Sequence, residues 1–340
     1  MKALVIEEFG GPMIPKEMPV PDPGPGEVLL RVKACAVDQF DLRIRDGKVP
    51  HARVPLILGH EVAGEVAAWG QGVTEWTAGQ RVTSTLYLTC GRCRKCQIGR
   101  ETICENFQGY LGIQTPGGYA EYTLVPAVNL VALPDSISFA DASVIANAIG
   151  TPYHALTKRM RLQPGERVII TGAGGGVGVH AIQLARMMGA LVMAVDIGSA
   201  KLEAAREYGA DIAADPTQGD FAGMAREWTK GEGVEAVLEL VGAATIPTSL
   251  RALGKGGRLV IVGHHGGSEF TLQASQVLAN EWEILGSRNV SKRELAEVVS
   301  LVAAGRVRPI VTGLHPLEEA ESVHARLRQQ QIVGREVLEV

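Results

Sequence analysis

The sequence predicts an α/β protein in two parts, a β-rich domain into which a doubly wound parallel-sheet domain is inserted. Three observations predict it. At 340 residues the chain exceeds what one hydrophobic core usually supports. From residue 1 to about 148, short alternating runs (EVLLRVKA, EVAGEVAAWG, YAEYTLV) stand between turns rich in Pro and Gly such as PDPGPGE, the texture of half-buried strands. From 149 to 288 apolar strands alternate with amphipathic helices, in the order RVIIT, VGVHAIQLARMMG, ALVMAVD, KLEAAREYG, VEAVLELVG, RLVIVGH and WEILGS. That rhythm builds βαβ units on a parallel sheet. A helix, KRELAEVVSLVAAG, and short β-like segments ending in VGREVLEV return the tail to the first domain. The expected domains are therefore 1–148 with 289–340, and 149–288.

Lys and Arg number 33 against 37 Asp and Glu, a net charge of −4 with no basic block. This excludes a nucleic-acid or anionic-membrane partner and leaves a small-molecule substrate. The N-terminal MKALVIEEFG has too short an apolar run for a signal peptide, and nothing approaches the ~20 apolar residues of a membrane span. A cytoplasmic protein is expected.

The β-rich half carries the most specific signal. Cys90, Cys93, Cys96 and Cys104, four of only five cysteines, are spaced C-x2-C-x2-C-x7-C in a lobe of about 88–106. Four thiolates close a tetrahedron around Zn²⁺ without water, the pattern of a structural site. Arg92, Arg94, Lys95 and Arg100 offset its negative charge. An iron–sulfur cluster uses the same ligands and two disulfides need an oxidising compartment, so those remain the alternatives. The fifth cysteine, Cys35, reads as a small core residue.

In the inserted half, the strand RVIIT runs into Gly172, Gly175, Gly176, Val177 and Gly178 and then into a helix. Glycines there let a pyrophosphate approach the backbone, and the helix N-terminus stabilises its charge. The spacing is G-x-x-G-x-x-G rather than G-x-G-x-x-G. The next strand ends in Asp196, eighteen residues past Gly178. A carboxylate there accepts ribose hydroxyls and repels a 2′-phosphate, favouring NAD(H) over NADP(H). The alternative is that Asp196 only caps the helix beginning near Ser199.

These motifs, with PGPGEVLLRVKA, the LGHEVAGEV segment holding Gly59, His60 and Glu61, PGGYAEY and the closing GREVL, resemble the medium-chain dehydrogenases and reductases over essentially the whole chain. That family includes zinc alcohol dehydrogenases and quinone or enoyl reductases. The resemblance implies a GroES-like β domain plus a Rossmann domain, with the active site in the cleft between them. It implies a homodimer or homotetramer. It places Thr151, Val241, Val262 and Gly263 on the nicotinamide side, Arg335 near the cofactor phosphates, and Lys201 in the cofactor set.

The departures from the family pattern carry the functional reading. Aligned on ACGVCHTDL, the first catalytic-zinc ligand becomes Asp38, the following pair becomes Gln39-Phe40 without the hydroxyl that passes the alcohol proton outward, and the third ligand falls on Asn147. Only His60, beside Glu61, stands unchanged. Loss of the firm ligands favours reduction of an activated C=C bond (an enoyl- or acryloyl-CoA-like thioester, enone or quinone) without a catalytic zinc, because neutral donors such as Gln39 and Asn147 hold a developing enolate. Asp38, Asp41 or His60 would supply the proton. One alternative is a zinc-dependent alcohol dehydrogenase with the metal on Asp38, His60 and Glu61. Another is a dinucleotide-binding redox sensor.

Overall fold

The computed structural model describes all 340 residues. They form two compact units: Met1–Gly150 with Asn289–Gly305 and Pro309–Val340, and Thr151–Arg288 with Arg306–Arg308.

The larger unit is the GroES-like one. Its main sheet runs in the order Leu130–Ala132, Arg81–Ser84, Glu61–Trp69, Glu27–Val37, Arg335–Glu339, Val311–Pro316, with Tyr122–Pro126 pairing the first half of Glu27–Val37. A second sheet joins Met13–Glu17, Lys2–Ile6 and Leu56–Ile57. Alternating apolar positions of these strands, among them Val28, Leu30, Val32, Val62 and Val82, fill one core, as the period of two requires. Cys35 is fully buried there, the core residue the sequence suggested.

Register matters most for function. Ala36 lies opposite Glu61, and Val37 lies opposite Glu336. Asp38, Glu61 and Arg335 therefore emerge at one end of three adjacent strands, although they are far apart in sequence.

The smaller unit is a Rossmann sheet of six parallel strands in the order Ile212–Ala214, Leu191–Val195, Arg167–Thr171, Val234–Glu239, Leu253–Ile261, Glu283–Gly286. Numbered along the chain, this is the 3-2-1-4-5-6 order of doubly wound dinucleotide folds. Near-continuous apolar strands such as RVIIT and LVMAV are buried on both faces, as parallel sheets covered by helices demand. No helix is long and apolar enough to cross a membrane.

Candidate active site and metal centre

Asp38 follows the strand Glu27–Val37 and caps the helix Gln39–Arg45. Its Oδ1 accepts from the backbone N–H groups of Phe40 (2.7 Å) and Asp41 (3.1 Å), and the Asp41 carboxylate accepts from the Asp38 N–H (3.0 Å). This reciprocal box fixes both carboxylates. It leaves Asp38 Oδ2 free to face His60 Nε2 at 3.5 Å, while Asp41 Oδ1 grips His60 Nδ1 at 3.0 Å. His60 is thus clamped by a carboxylate on each ring nitrogen.

Two further cationic or amide donors close the cluster. Arg335 Nη2 lies 2.9 Å from Glu61 Oε1 and 3.4 Å from Asp38 Oδ2. Asn147, on a widened π-helical turn over Ile145–Ile149, donates its Nδ2 to Glu61 Oε1 (2.7 Å) and Asp38 Oδ2 (3.2 Å), with His60 Nε2 at 3.4 Å. The two shorter contacts use both amide hydrogens, so His60 Nε2–H is left to Asp38. Asp41, His60 and Glu61 are wholly buried, Asp38 nearly so, and Asn147 is part-exposed.

Electrostatics follow from this closure. Burial would raise the Asp38 carboxyl, but the charge and hydrogen bond of His60, and then Arg335, hold it well below the usual carboxylate range. Burial would likewise strip the His60 proton, yet Asp38 and Asp41 push its pKa well above that of a free imidazole. Glu61 moves the other way, raised by burial against the pull of Arg335. The cluster is two cations set among three carboxyl groups.

Asp38, Asp41 and His60 bring ligand atoms within 4.8 Å of one another, close enough to consider a metal ion, but their arrangement is a poor match to a catalytic zinc. It would need about three firm ligands and an open position. Asp41 lies on the far ring nitrogen of His60, and the space facing Asp38 Oδ2, His60 Nε2 and Glu61 Oε1 is taken by the Asn147 amide nitrogen, with Arg335 beside it.

Several sequence assignments land elsewhere. The Gln39 amide donates to the Leu327 carbonyl (3.1 Å), so it is engaged with the backbone and not with this cluster. Arg335 spends its guanidinium on Glu61 and Asp38. The buried Tyr119 hydrogen-bonds both Asp41 (3.3 Å) and His324 Nε2 (3.0 Å). Asp41 carried one sequence signal, its position three residues into the helix from a capping aspartate. His324, on the helix Ala320–Arg328, carried none.

In the cysteine lobe the sulfurs of Cys90, Cys93, Cys96 and Cys104 stand 3.5, 3.6, 3.8 and 4.0 Å apart around the ring. A zinc with ~2.3 Å bonds to four thiolates sets sulfurs about 3.8 Å apart, so the cluster fits a structural zinc. It is far too open for disulfides, whose sulfurs lie about 2.05 Å apart. The Cys96 and Glu105 backbone N–H groups bring the Cys93 thiol down to about 6, ready to ligate.

The smaller unit supplies a dinucleotide cradle. Gly172 has φ +63°, and Gly175 caps the helix Gly176–Met187. A Cβ on Gly178 would lie 2.3 Å from the Gly172 carbonyl, so only glycine lets the helix sit this close to the turn. Asp196 does not cap the following helix, whose N-cap is Gly198. It accepts from the N–H groups of Gly174 (2.8 Å) and Ile197 (2.7 Å), with Lys201 Nζ 3.6 Å away. The carboxylate thus stands beside the glycine turn, where a ribose would meet it. Glu239, missed in the sequence, is a buried carboxylate on which Thr171, Thr245, Ser249 and the N–H groups of Val241 and Gly242 converge. It fixes the loop carrying Val241. Val262 and Gly263 donate their N–H groups to the Glu239 carbonyl, and Thr151 is buried at the start of this unit.

Such a pair of folds, a thiolate lobe on one and a glycine-turn cradle on the other, defines a nicotinamide-dependent oxidoreductase. Residues 24–135 match the alcohol dehydrogenase GroES-like domain and residues 176–304 the zinc-binding dehydrogenase domain. The chain belongs to the zinc-containing alcohol dehydrogenase family of medium-chain dehydrogenases and reductases. It is 40% identical to an alcohol dehydrogenase of Geobacillus stearothermophilus, over 100% of both chains. It is 32% identical to the acryloyl-coenzyme A reductase of Metallosphaera sedula, over 99% of both. Among solved structures it is similar to AibC (TM-score 0.94, 40% identity, 100% of this chain and 95% of that one).

Proposed function

We propose that the protein reduces a C=C bond conjugated to a carbonyl, most specifically an enoyl thioester, using NADH and no catalytic zinc, while one zinc per chain braces the cysteine lobe. The observation that carries this reading is the Asn147 amide nitrogen seated among Asp38, His60 and Glu61, where a catalytic cation would have to lie. The likeness to acryloyl-coenzyme A reductases supports it. Asp196 beside the glycine turn supports NADH.

NADH, held by the glycine turn and Asp196, would supply the hydride to the β-carbon, with the π electrons passing to the carbonyl oxygen as an enolate. The enolate then takes a proton at the α-carbon. The residues of the cluster divide the remaining work. His60, held as imidazolium between Asp38 and Asp41, stores the proton, and Asp38, its neighbour at Nε2, passes it toward substrate. Asn147, the part-exposed member, would turn the N–H of its longer contact, 3.2 Å to Asp38, toward the enolate oxygen in place of a metal. Arg335 and Glu61 hold Asn147 and Asp38 in place.

A zinc alcohol dehydrogenase using Asp38, His60 and Glu61 is the competing reading, favoured by the names of relatives such as the Geobacillus protein. One experiment separates them: zinc per chain, together with NADH and NADPH oxidation on crotonyl-CoA, enones, quinones and aldehydes. One zinc with thioester reduction that survives chelation of loosely held metal is expected. Two zincs with alcohol oxidation alone would overturn the proposal.

A further inference from the structure

A second concavity of the larger unit lies away from the charged cluster. It is a pocket of about 390 Å³ whose walls include Val5, Met18, Ile57 and Ile113, with His51 and Arg53 also lining it. That volume is in the range of small-molecule sites. No acidic side chain lines it. The segment Arg43–Arg53 (RIRDGKVPHAR) is basic; Arg45 pairs with Glu321, and Lys48 pairs with Asp46, which also holds Arg328, while Arg43 does not line the pocket. Arg53 has no such partner in the protein. An unpaired guanidinium over apolar walls suits a ligand with an apolar body and an anionic group, since Arg matches phosphate oxygens in a bidentate fork.

The pocket is tied to the reacting end of the molecule by the chain itself. Leu56 and Ile57 line it, and His60 follows three residues on. Three residues span at most about 11 Å, less than an extended pantetheine. We propose that this pocket binds the phosphorylated pantetheine arm of a coenzyme A thioester, with Arg53 on phosphate and Val5, Met18, Ile57 and Ile113 against the arm. The inference rests on the enoyl thioester reading and deepens it: simple enones and quinones carry no such arm.

The test compares crotonyl-CoA with the N-acetylcysteamine thioester of crotonate, which lacks the phosphates, on the zinc-loaded wild type and on Arg53→Ala and Arg53→Glu. Preference for the coenzyme A ester in kcat/KM is expected to fall about tenfold in Arg53→Ala, the scale of one charge-assisted hydrogen bond, and further in Arg53→Glu. An unchanged preference overturns the pocket while leaving the reaction standing. Should the wild type reduce neither ester, the reaction proposal fails, and calorimetric titration with coenzyme A alone then decides the pocket. Binding that Arg53→Ala weakens about tenfold upholds it, and equal or absent binding overturns it.

Discussion

Replacing Arg335 by Met tests the charge closure of the cluster most directly. The guanidinium is 2.9 Å from Glu61 and 3.4 Å from Asp38, with side chains 7%, 0% and 9% exposed. At an effective dielectric of ~20, each contact is worth about 5 kcal/mol in Coulomb energy, most of it offset by the desolvation of the three charges. Removing one partner leaves the other carboxylates uncompensated, a loss of about 3–5 kcal/mol. Glu61 sets a ceiling, because it escapes by taking a proton. From an unperturbed value of about 4.3, protonating it at pH 7 costs about 3.7 kcal/mol, and at pH 5 only about 1 kcal/mol. The sign follows from linkage: burial raises the folded pKa of Glu61, so its contribution is complete below the unfolded value and lost as pH rises through the folded one. Arg335→Met should therefore lose about 3–4 kcal/mol at pH 7 and about 1 kcal/mol at pH 5. The double variant Arg335→Met/Glu61→Gln should remove the difference between the two pH values. Urea denaturation of zinc-loaded protein, with m-values compared between variants, reads this out. A deficit that is the same at both pH values, or below 1 kcal/mol at pH 7, would refute the buried-charge argument.

Three further outcomes are expected. Cys104→Ser should drop zinc content from one per chain toward zero and raise hydrogen exchange across 88–106, with the Rossmann unit unaffected, because a closed thiolate site contributes its binding energy to the local fold. Gly178→Ala should weaken NADH binding at least tenfold by fluorescence titration, since its Cβ would meet the Gly172 carbonyl at 2.3 Å; wild-type affinity would remove the glycine turn from the cofactor site. His60, whose pKa is raised by Asp38 and Asp41, adds stability in full below pH ~6.5 that is lost as pH climbs through its folded value. His60→Gln should flatten that alkaline decline, and an unaltered slope would show the imidazole is neutral throughout.

What was legible in the sequence follows from how local each cause is. The cysteine lobe and the glycine turn are short-range: ligands and backbone N–H groups lie within one excursion or one turn, and spacing alone carries the geometry. The parallel order of the Rossmann strands was readable because every strand is an apolar run followed by a helix. Spacing alone did not carry the charged cluster, because strand register assembles it; the family resemblance grouped Asp38, His60, Glu61 and Asn147 but placed Arg335 near the cofactor phosphates instead. His60 meets Asp41 across 19 residues, Asn147 meets Asp38 across 109, and Arg335 meets Glu61 across 274. Nothing local in GREVL says that its arginine faces two carboxylates. Asp38 also serves two ends at once: one oxygen caps a helix and the other faces His60.

The same register explains how the cluster balances its charge. Three strand ends bring Asp38, Glu61 and Arg335 together, and the helix cap adds Asp41, whatever stands at position 147. With an amide there, the carboxyl groups have no divalent cation to neutralise them, and desolvation penalises every uncompensated charge. Compensation has to come from groups the protein owns: the fixed charge of Arg335 and a proton on His60. Negative charge nearby tightens an imidazolium, so a proton held this way leaves only to a stronger base. On the proposed reading, the enolate formed after the hydride has moved is that base, with Asp38 as the group between. Alcohol oxidation runs the opposite way, requiring the site to accept a proton as the alkoxide forms. The proposed reduction of a conjugated double bond calls for the reverse, a group that gives a proton up, and His60 with Asp38 is the pair that would do so.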